Sequence, residues 1–174
     1  MSDAPEYKLS LIIPAYNEEK RLKNMLGNVL EVLKSKISSE RKYNCEVILV
    51  DDGSMDKTVE VYKKVVSAFG SSKRIDFKLL KLAKNSGKGF AVSEVYTYQI
   101  ACSNTLIFFC YGILSSLGET ILFADADGST DFEALNKFEK SIHGKVTEDV
   151  LICGSRCHLQ SDAKAVVKVK IIKL

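Results

Sequence analysis

The sequence predicts an α/β fold built on a mainly parallel sheet that is flanked by helices. Two observations support this fold class. Short apolar runs alternate along the chain with amphipathic stretches of helical spacing, which is typical of strand–helix–strand units. Polar, glycine-containing clusters follow several of these runs, as expected where the carboxyl ends of parallel strands meet solvent. The chain has 174 residues, 46% of them hydrophobic, which suits one domain spanning residues 1–174.

The first strand and the first helix are predicted between residues 9 and 36. LSLIIP, residues 9–14, is an apolar run. After it, Asn17 is the predicted N-cap of a helix, and Glu18 and Glu19 suit the positive end of the helix dipole. The apolar positions of this helix recur at a spacing that defines one buried face: Leu22, Met25, Leu26, Val29, Leu30 and Leu33.

The next two strands enclose a second helix. Strand two is EVILV, residues 46–50, and it runs directly into DDGSMDKT. The helix that follows has Gly70 as its predicted stop. Its predicted inward residues are Val59, Tyr62, Val66 and Phe69. IDFKLLKLA, residues 75–83, is predicted as strand three.

The second half of the chain repeats the alternation. TILFA, residues 120–124, is predicted as strand four, and DVLICGSR, residues 149–156, as strand five. Between them, DFEALNKFEKSIHG has helical spacing. The face that we expect this helix to bury consists of Phe132, Leu135, Phe138 and Ile142.

Four polar clusters follow the predicted strands: PAYNE (14–18), DDGS (51–54), KNSGKG (84–89) and DADGS (125–129). Because parallel strands end at the same edge of a sheet, we expect these clusters to converge on one cleft. Strands that meet solvent also end in polar residues for purely structural reasons. That explanation suits one cluster better than it suits four together.

Asp125 and Asp127 are separated by one residue, so both carboxylates would point to the same side of an extended segment. Two carboxylates this close repel each other unless a cation lies between them. Mg²⁺ or Mn²⁺ bound to a diphosphate supplies that charge and stabilises the diphosphate as a leaving group. The structural alternative is a turn in which Asp127 and Gly128 simply reverse the chain.

Asp51 and Asp52 also end an apolar strand. Their position suits acceptance of hydrogen bonds from a base or from a ribose hydroxyl. Alternatively, Ser54 or Asp56 in the same cluster caps the next helix. Tyr16 in the first cluster has two interpretations as well, because its ring would either stack on a base or cover the sheet edge.

The KNSGKG cluster combines glycines with cations. Gly87 and Gly89 permit a ligand to approach the backbone closely, and Lys84 and Lys88 offer positive charge to a phosphate. A solvated turn is the competing interpretation of this short motif.

Composition argues against several classes of function. The net charge of +3 and the scattered lysines and arginines do not indicate a nucleic-acid surface. Five cysteines without C-x-x-C spacing predict free thiols in a reducing compartment rather than a zinc site. The N-terminal residues show neither a signal peptide nor a hydrophobic anchor. Residues 100–118 carry no charge, but their serines, threonine and asparagine make a poor membrane span.

Taken together, LIIPAYNEEKRL, VILVDDGSMDKT, KNSGKG and ILFADADGST resemble the family-2 inverting glycosyltransferases with the GT-A (Rossmann-like) fold. The motifs RL, GKG, DADGST, GSRCHL and AVVK are most similar to those of eukaryotic dolichyl-phosphate β-glucosyltransferases. The resemblance implies transfer of glucose from UDP-glucose to dolichyl phosphate for N-glycan assembly. It also implies a divalent metal ion and a location at the cytosolic face of the endoplasmic reticulum membrane.

The same resemblance assigns roles to individual residues. Asp125 and Asp127 match the family's metal and diphosphate motif, as catalytic and metal-binding residues, with Asp127 the stronger candidate for a direct ligand. Residues matching the nucleotide pocket are Pro14, Ala15, Tyr16, Asn17, Glu18, Asp51, Asp52, Lys88 and Gly89. Because a phosphate monoester is already largely ionised near neutral pH, its second pKa being about 6, the acceptor has less need of a general base.

Two segments depart from the family pattern. We predict that residues 93–110 are an insert and that residues 169–174 form a non-family tail, interpreted as a strand fragment, so that the fold would be incomplete on its C-terminal side. The resemblance leaves two alternatives open. One is a mannosyltransferase that uses GDP-mannose and the same lipid. The other is a non-catalytic nucleotide-sugar-binding fragment, or a partner-binding module that uses the hydrophobic insert as its contact surface.

Overall fold

The computed structural model describes residues 7–70, 72–82, 111–128, 132–142, 151–153 and 170–172. Within these ranges the chain alternates between strands and helices, as its hydrophobic pattern predicts. The elements, in chain order, are β1 (Tyr7–Ala15), α1 (Leu22–Ser39), β2 (Cys45–Asp51), α2 (Thr58–Phe69), β3 (Ile75–Lys81), β4 (Gly118–Phe123), a 3-10 turn (Phe132–Ala134), α3 (Leu135–Ile142), β5 (Leu151–Cys153) and β6 (Lys170–Ile172).

The described strands form a six-stranded sheet of order β3-β2-β1-β4-β6-β5. The first four strands of the chain pair in parallel, with β1 between β2 and β4. Strand β6 runs antiparallel to both β4 and β5. A mainly parallel sheet flanked by helices is therefore confirmed. Strand β6 lies within the segment predicted as a tail, and the division of the chain into insert and tail stays a prediction.

The hydrophobic core lies on both faces of β1. Leu11 and Ile13 belong to the larger cluster, which includes the apolar faces of α1 and α2, whereas Ile12 packs with Ile48 and Phe123 on the opposite face. A strand covered on both sides reads as a continuous apolar run, which explains LSLIIP. All six positions predicted for the buried face of α1 are buried.

The predicted start of α1 is wrong. The helix begins at Leu22, five residues after Asn17, and no acidic residue lies in its first turn. Asn17 has a φ of 54°, a left-handed conformation that asparagine tolerates better than most residues. Its polar groups bond to the loop after β2 rather than to amides of its own helix. Tertiary hydrogen bonds therefore replace the local cap.

A buried carboxylate anchors the beginning of β4. Glu46 on β2 accepts hydrogen bonds from the Ser10 hydroxyl (2.5 Å) and from the Leu117 amide (2.6 Å). The Gly118 amide donates to the Ser10 hydroxyl oxygen at 2.8 Å. The second oxygen of Glu46 lies 2.7 Å from Nζ of Lys78, an ion pair without the angles of a hydrogen bond. These contacts determine the position along β1 at which β4 begins.

Helix α3 packs against α1 through both apolar and polar contacts. Phe132 and Leu135 are buried and Phe138 packs against the core, as predicted. Glu139 accepts a hydrogen bond from Tyr43 (2.7 Å) and forms an ion pair with Lys36. Within the described part of the chain, no helix combines the length and apolar character needed to cross a bilayer.

Candidate functional site

The carboxyl ends of β1, β2 and β4 meet at one edge of the sheet. Ala15 pairs with Asp51 across β1 and β2, and the Asp52 amide donates to the Ala15 carbonyl at 3.0 Å. On the other side of β1, the Ala124 amide donates to the Ile12 carbonyl at 3.1 Å. The predicted convergence is thus confirmed for PAYNE, DDGS and residues 125–128 of DADGS. KNSGKG, with Lys84, Lys88 and Gly89, lies outside the described residues.

The two aspartates at the end of β2 are buried. Asp51 is 0% exposed and Asp52 is 5% exposed. Both carboxylate oxygens of Asp51 lie 3.3 Å from the Ser54 amide, which donates to them. Gly53 has a φ of 69°, and this left-handed residue allows the tight turn back toward Asp51. Carboxylates are rarely buried without such donors, so the loop holds fixed acceptors beside the edge.

The last residues of β1 and those that follow it form the central part of this edge. Pro14 is half-buried and Ala15 is buried, whereas Tyr16 is 40% exposed. The Glu18 carboxylate is held by the Arg21 guanidinium through two hydrogen bonds of 2.6 and 2.7 Å. The loop after β1 therefore carries an exposed aromatic ring and a paired carboxylate, and β1 itself lies between β2 and β4.

The loops after β1 and β2 are bonded to each other. The Asn17 amide donates to the Ser54 hydroxyl at 2.9 Å, and the Met55 amide donates to Oδ1 of Asn17 at 3.0 Å. From the sequence, Ser54 is predicted only as an alternative helix cap. No local pattern could have indicated this exchange, because its members lie 37 and 38 residues apart along the chain.

Asp125 and Asp127 lie side by side at the end of β4. Both are exposed, while Ala124 and Ala126 are buried, and this alternation puts the two carboxylates on the solvent side. Partial loss of hydration at the sheet edge, together with the negative charge of Asp127, raises the pKa of Asp125. Gly128 follows with a φ of 76°. The turn predicted as an alternative and the proximity of the carboxylates are thus both present.

The acidic pair supplies too few ligands for a metal centre built from protein side chains alone. Within the described ranges, no group of three or more histidine, cysteine, aspartate or glutamate residues could hold a metal ion. Mg²⁺ and related hard cations are commonly bound by one or two carboxylates, with phosphate oxygens and water completing the shell. Asp125 and Asp127 therefore fit a metal ion that arrives with a diphosphate.

Two surface depressions lie away from this edge. One is next to the end of α2 and the beginning of β3, and the other lies between α1 and α3. Neither is lined by any of the predicted site residues. The candidate site is therefore defined by converging strand ends and their charges rather than by a closed cavity among the described residues.

Comparison with known proteins gives a family and a set of relatives. The family model described as Glycosyl transferase family 2 matches residues 10–98. Dolichyl-phosphate beta-glucosyltransferases of Homo sapiens and Drosophila melanogaster are 37% and 38% identical, over 94% and 95% of this chain. The Saccharomyces cerevisiae protein of that name is 32% identical over 98% of the chain. The chain spans 45–47% of the length of these three relatives.

Among solved structures, this chain is similar to a mannosyltransferase from Pyrobaculum calidifontis, described in complex with GDP-Man and Mn²⁺. The TM-score is 0.56 at 19% sequence identity, covering 87% of this chain and 37% of the other. At this identity the likeness shows a common fold, and it confirms the predicted GT-A type of α/β architecture.

Proposed function

Because this chain belongs to glycosyl transferase family 2, we propose that it serves an inverting transfer of glucose from UDP-glucose to dolichyl phosphate. The named relatives support the lipid acceptor and the sugar. The observation that carries the proposal is the placement of two acidic pairs, at the ends of β2 and β4, on either side of the loop that bears Tyr16.

The side of the edge formed by β1 and β2 suits the nucleotide. We assign Asp51 and Asp52 as acceptors for the uracil or ribose, since both are held at the end of β2 and the Ser54 amide fixes the Asp51 carboxylate. Tyr16 offers an exposed ring for stacking. Pro14, Ala15, Asn17 and Glu18 line the same region, and we extend the pocket to Lys88 and Gly89 from the sequence motif.

The side formed by β4 suits the diphosphate. Asp125 and Asp127 would hold Mg²⁺ or Mn²⁺, which supplies positive charge to the departing diphosphate when bound. Burial and, to a lesser degree, the charge of Asp127 raise the pKa of Asp125, and a bound cation would favour the ionised form of both carboxylates. A protein of the same fold is described with Mn²⁺ and a nucleotide sugar, which supports this role for the pair.

The acceptor phosphate requires positioning more than activation. A phosphate monoester is largely ionised near neutral pH, since its second pKa is about 6. It can therefore attack the sugar from the face opposite the diphosphate without a dedicated general base. The lipid nature of this acceptor supports work at a membrane surface, for which we propose the cytosolic face of the endoplasmic reticulum.

Binding and transfer assays test the proposal. We expect isothermal titration calorimetry to detect UDP-glucose binding that is stronger with Mn²⁺ than with a chelator, and weaker binding of GDP-mannose. Asp127→Asn should abolish the metal-dependent part of the affinity. Glu31→Gln removes one carboxylate from an exposed position on α1 and should leave binding unchanged.

Transfer is then measured with labelled UDP-glucose and a short polyprenyl phosphate. Metal-dependent product that disappears with Asp127→Ala supports the enzyme. Preference for GDP-mannose would replace the sugar assignment, and donor binding without transfer would favour a non-catalytic binding fragment. Absence of sugar-nucleotide binding with either metal would contradict the proposal altogether.

A further inference from the structure

We propose that Thr58 and Asp56 are positioning residues that join the loop after β1 (residues 16–21) and the loop after β2 (residues 52–57, counted together with Thr58, the first residue of α2) into one rigid unit, which fixes the spacing across the nucleotide side of the site. The inference rests on the proposed function for its ligand, UDP-glucose. Nothing in the local sequence assigns these residues more than a role at the start of α2.

Thr58 reaches across to the first loop. It is fully buried, and its hydroxyl oxygen accepts a hydrogen bond from the Glu18 amide at 2.7 Å. The hydroxyl hydrogen in turn is donated to Oδ1 of Asp56. Because a hydroxyl has one hydrogen to donate, its bond to Asp56 leaves the oxygen lone pairs directed at the other loop.

Asp56 holds both loops at once. Its Oδ1 accepts from the Thr58 amide at 2.9 Å, within its own loop, while its Oδ2 accepts from the Glu19 amide at 3.1 Å. Glu19 completes the exchange, because its Oε2 accepts from the Lys57 amide at 3.0 Å. A residue that served only as a helix cap would bond to amides of α2 alone, whereas half of this carboxylate is used by the other loop.

The full set of contacts spans the loops in both directions. Three successive amides of the first loop, at Asn17, Glu18 and Glu19, donate to side chains of the second. Two amides of the second loop donate to side chains of the first. These bonds hold the backbone immediately after Tyr16 against the backbone immediately after Asp52, so the ring and the buried acceptors keep a constant separation.

Loops that are already joined in the free protein favour UDP-glucose binding, because less conformational entropy is lost when the ligand does not have to order them. The removal of one shared bond should therefore weaken UDP-glucose binding although no ligand contact is removed. The removal of one bond should also weaken the other hydrogen bonds between the two loops, even where their donors and acceptors are intact, because the bonds stabilise one another.

Three variants separate positioning from general stability. Thr58→Val removes the hydroxyl with little change of shape, and Thr58→Ser restores it. Ile37→Val is the matched control, since it removes one buried methyl group near the opposite end of α1. In Mn²⁺ buffer, we expect Thr58→Val to bind UDP-glucose about tenfold more weakly, whereas Thr58→Ser and Ile37→Val bind within about twofold of the unmodified chain.

Amide hydrogen exchange without ligand provides the readout that does not depend on the proposed function. In Thr58→Val, we expect faster exchange at the Asn17 and Met55 amides, whose acceptors are untouched, as well as at Glu18. Faster exchange confined to Glu18, or UDP-glucose affinity unaltered in Thr58→Val, would overturn the inference. A chain that shows coupled exchange but binds no sugar nucleotide would instead retain the rigid unit and overturn the proposed function.

Discussion

Glu46 and Ser10 face each other across β2 and β1, and the Ser10 hydroxyl donates to the Glu46 carboxylate at 2.5 Å in the fully buried interior of the sheet. A charge in this position persists only when it has compensating partners. Here the partners include the turn before β4 and Lys78. The acidic pair follows the other end of β4. The contacts of Glu46 and Ser10 at the beginning of β4 therefore determine where along the sheet Asp125 and Asp127 lie.

We expect Glu46→Ala to lower the free energy of unfolding by about 3 kcal/mol, because it removes a charged acceptor from the buried Ser10 hydroxyl and from the Leu117 amide, whose bond is partly buried. Urea denaturation measures the change. The control is Glu119→Ala, which breaks an ion pair with Lys8 at 2.9 Å in which both side chains are substantially exposed. Its cost should stay below about 1 kcal/mol. Equal losses in the two variants would contradict the anchoring role of Glu46.

Gly128 and Gly27 should respond in opposite directions to alanine. Gly128 has a φ of 76°, and an added Cβ would meet only an ordinary contact with Met25, so backbone strain decides the effect. We expect Gly128→Ala to cost about 1 kcal/mol. Gly27 lies within α1 with open space around it, and Gly27→Ala should stabilise by about 0.5–1 kcal/mol. Unfolding curves of both variants test the prediction, and a shift of the same sign in both would refute it.

Asp56 should make the protein sensitive to acid. Partial burial alone would raise the pKa of Asp56, but hydrogen bonds from the Thr58 hydroxyl and the Glu19 and Thr58 amides lower it below 3.8. A carboxyl with a lowered folded-state pKa stabilises the fold at pH values above its unfolded pKa, and this contribution disappears as the pH falls through the lowered value.

The measurement is the free energy of unfolding from about pH 6 down to about pH 3. At the upper end of this range, the free energy of unfolding should be larger for the unmodified chain than for Asp56→Asn. We expect this difference to shrink as the pH falls. Glu60→Gln, an exposed change in the first turn of α2, serves as the control. A difference in the free energy of unfolding between the unmodified chain and Asp56→Asn that does not vary with pH would contradict a lowered pKa of Asp56.

Cys45 should be unreactive in the native protein. Burial, with smaller contributions from the charges of Asp76 and Glu46, raises the pKa of the Cys45 thiol to about 12. At pH 8 the thiolate fraction is then about 1 in 10⁴. Peptide mapping after iodoacetamide treatment should find Cys45 unmodified until urea is added. Alkylation at equal rates with and without urea would show that the residue is accessible.

The sequence predicted those features that depend on local hydrophobic pattern. The apolar face of α1, from Leu22 to Leu33, and the buried strand β1 follow directly from spacing and composition. The meeting of Asp51 and Asp125 at one edge follows from the rule that ligand sites of parallel sheets lie beyond the carboxyl ends of the strands. The metal, nucleotide and catalytic roles of these residues stay predictions.

Features that depend on residues far apart along the chain could not be predicted from the sequence. Asn17 resembles a helix cap until Ser54 and Met55 are known to lie beside it. The pairing of β6 with β4 could not be predicted either, because a segment as short as residues 170–172 carries no information about its neighbour. In both cases the missing information is the identity of residues brought close by the rest of the sheet.

The central position of β1 bears on the order in which the chain acquires its structure. Ser10 meets Glu46 after 36 residues, whereas it meets Gly118 only after 108. Loop closure is entropically easier for the shorter span, so β1, β2 and β3 should associate while the ribosome is still adding β4. Nascent chains arrested when residue 82 has just emerged from the ribosome should then already protect β1 from protease. The surface for which we propose nucleotide binding would then exist before the aspartates that follow β4 have been synthesised.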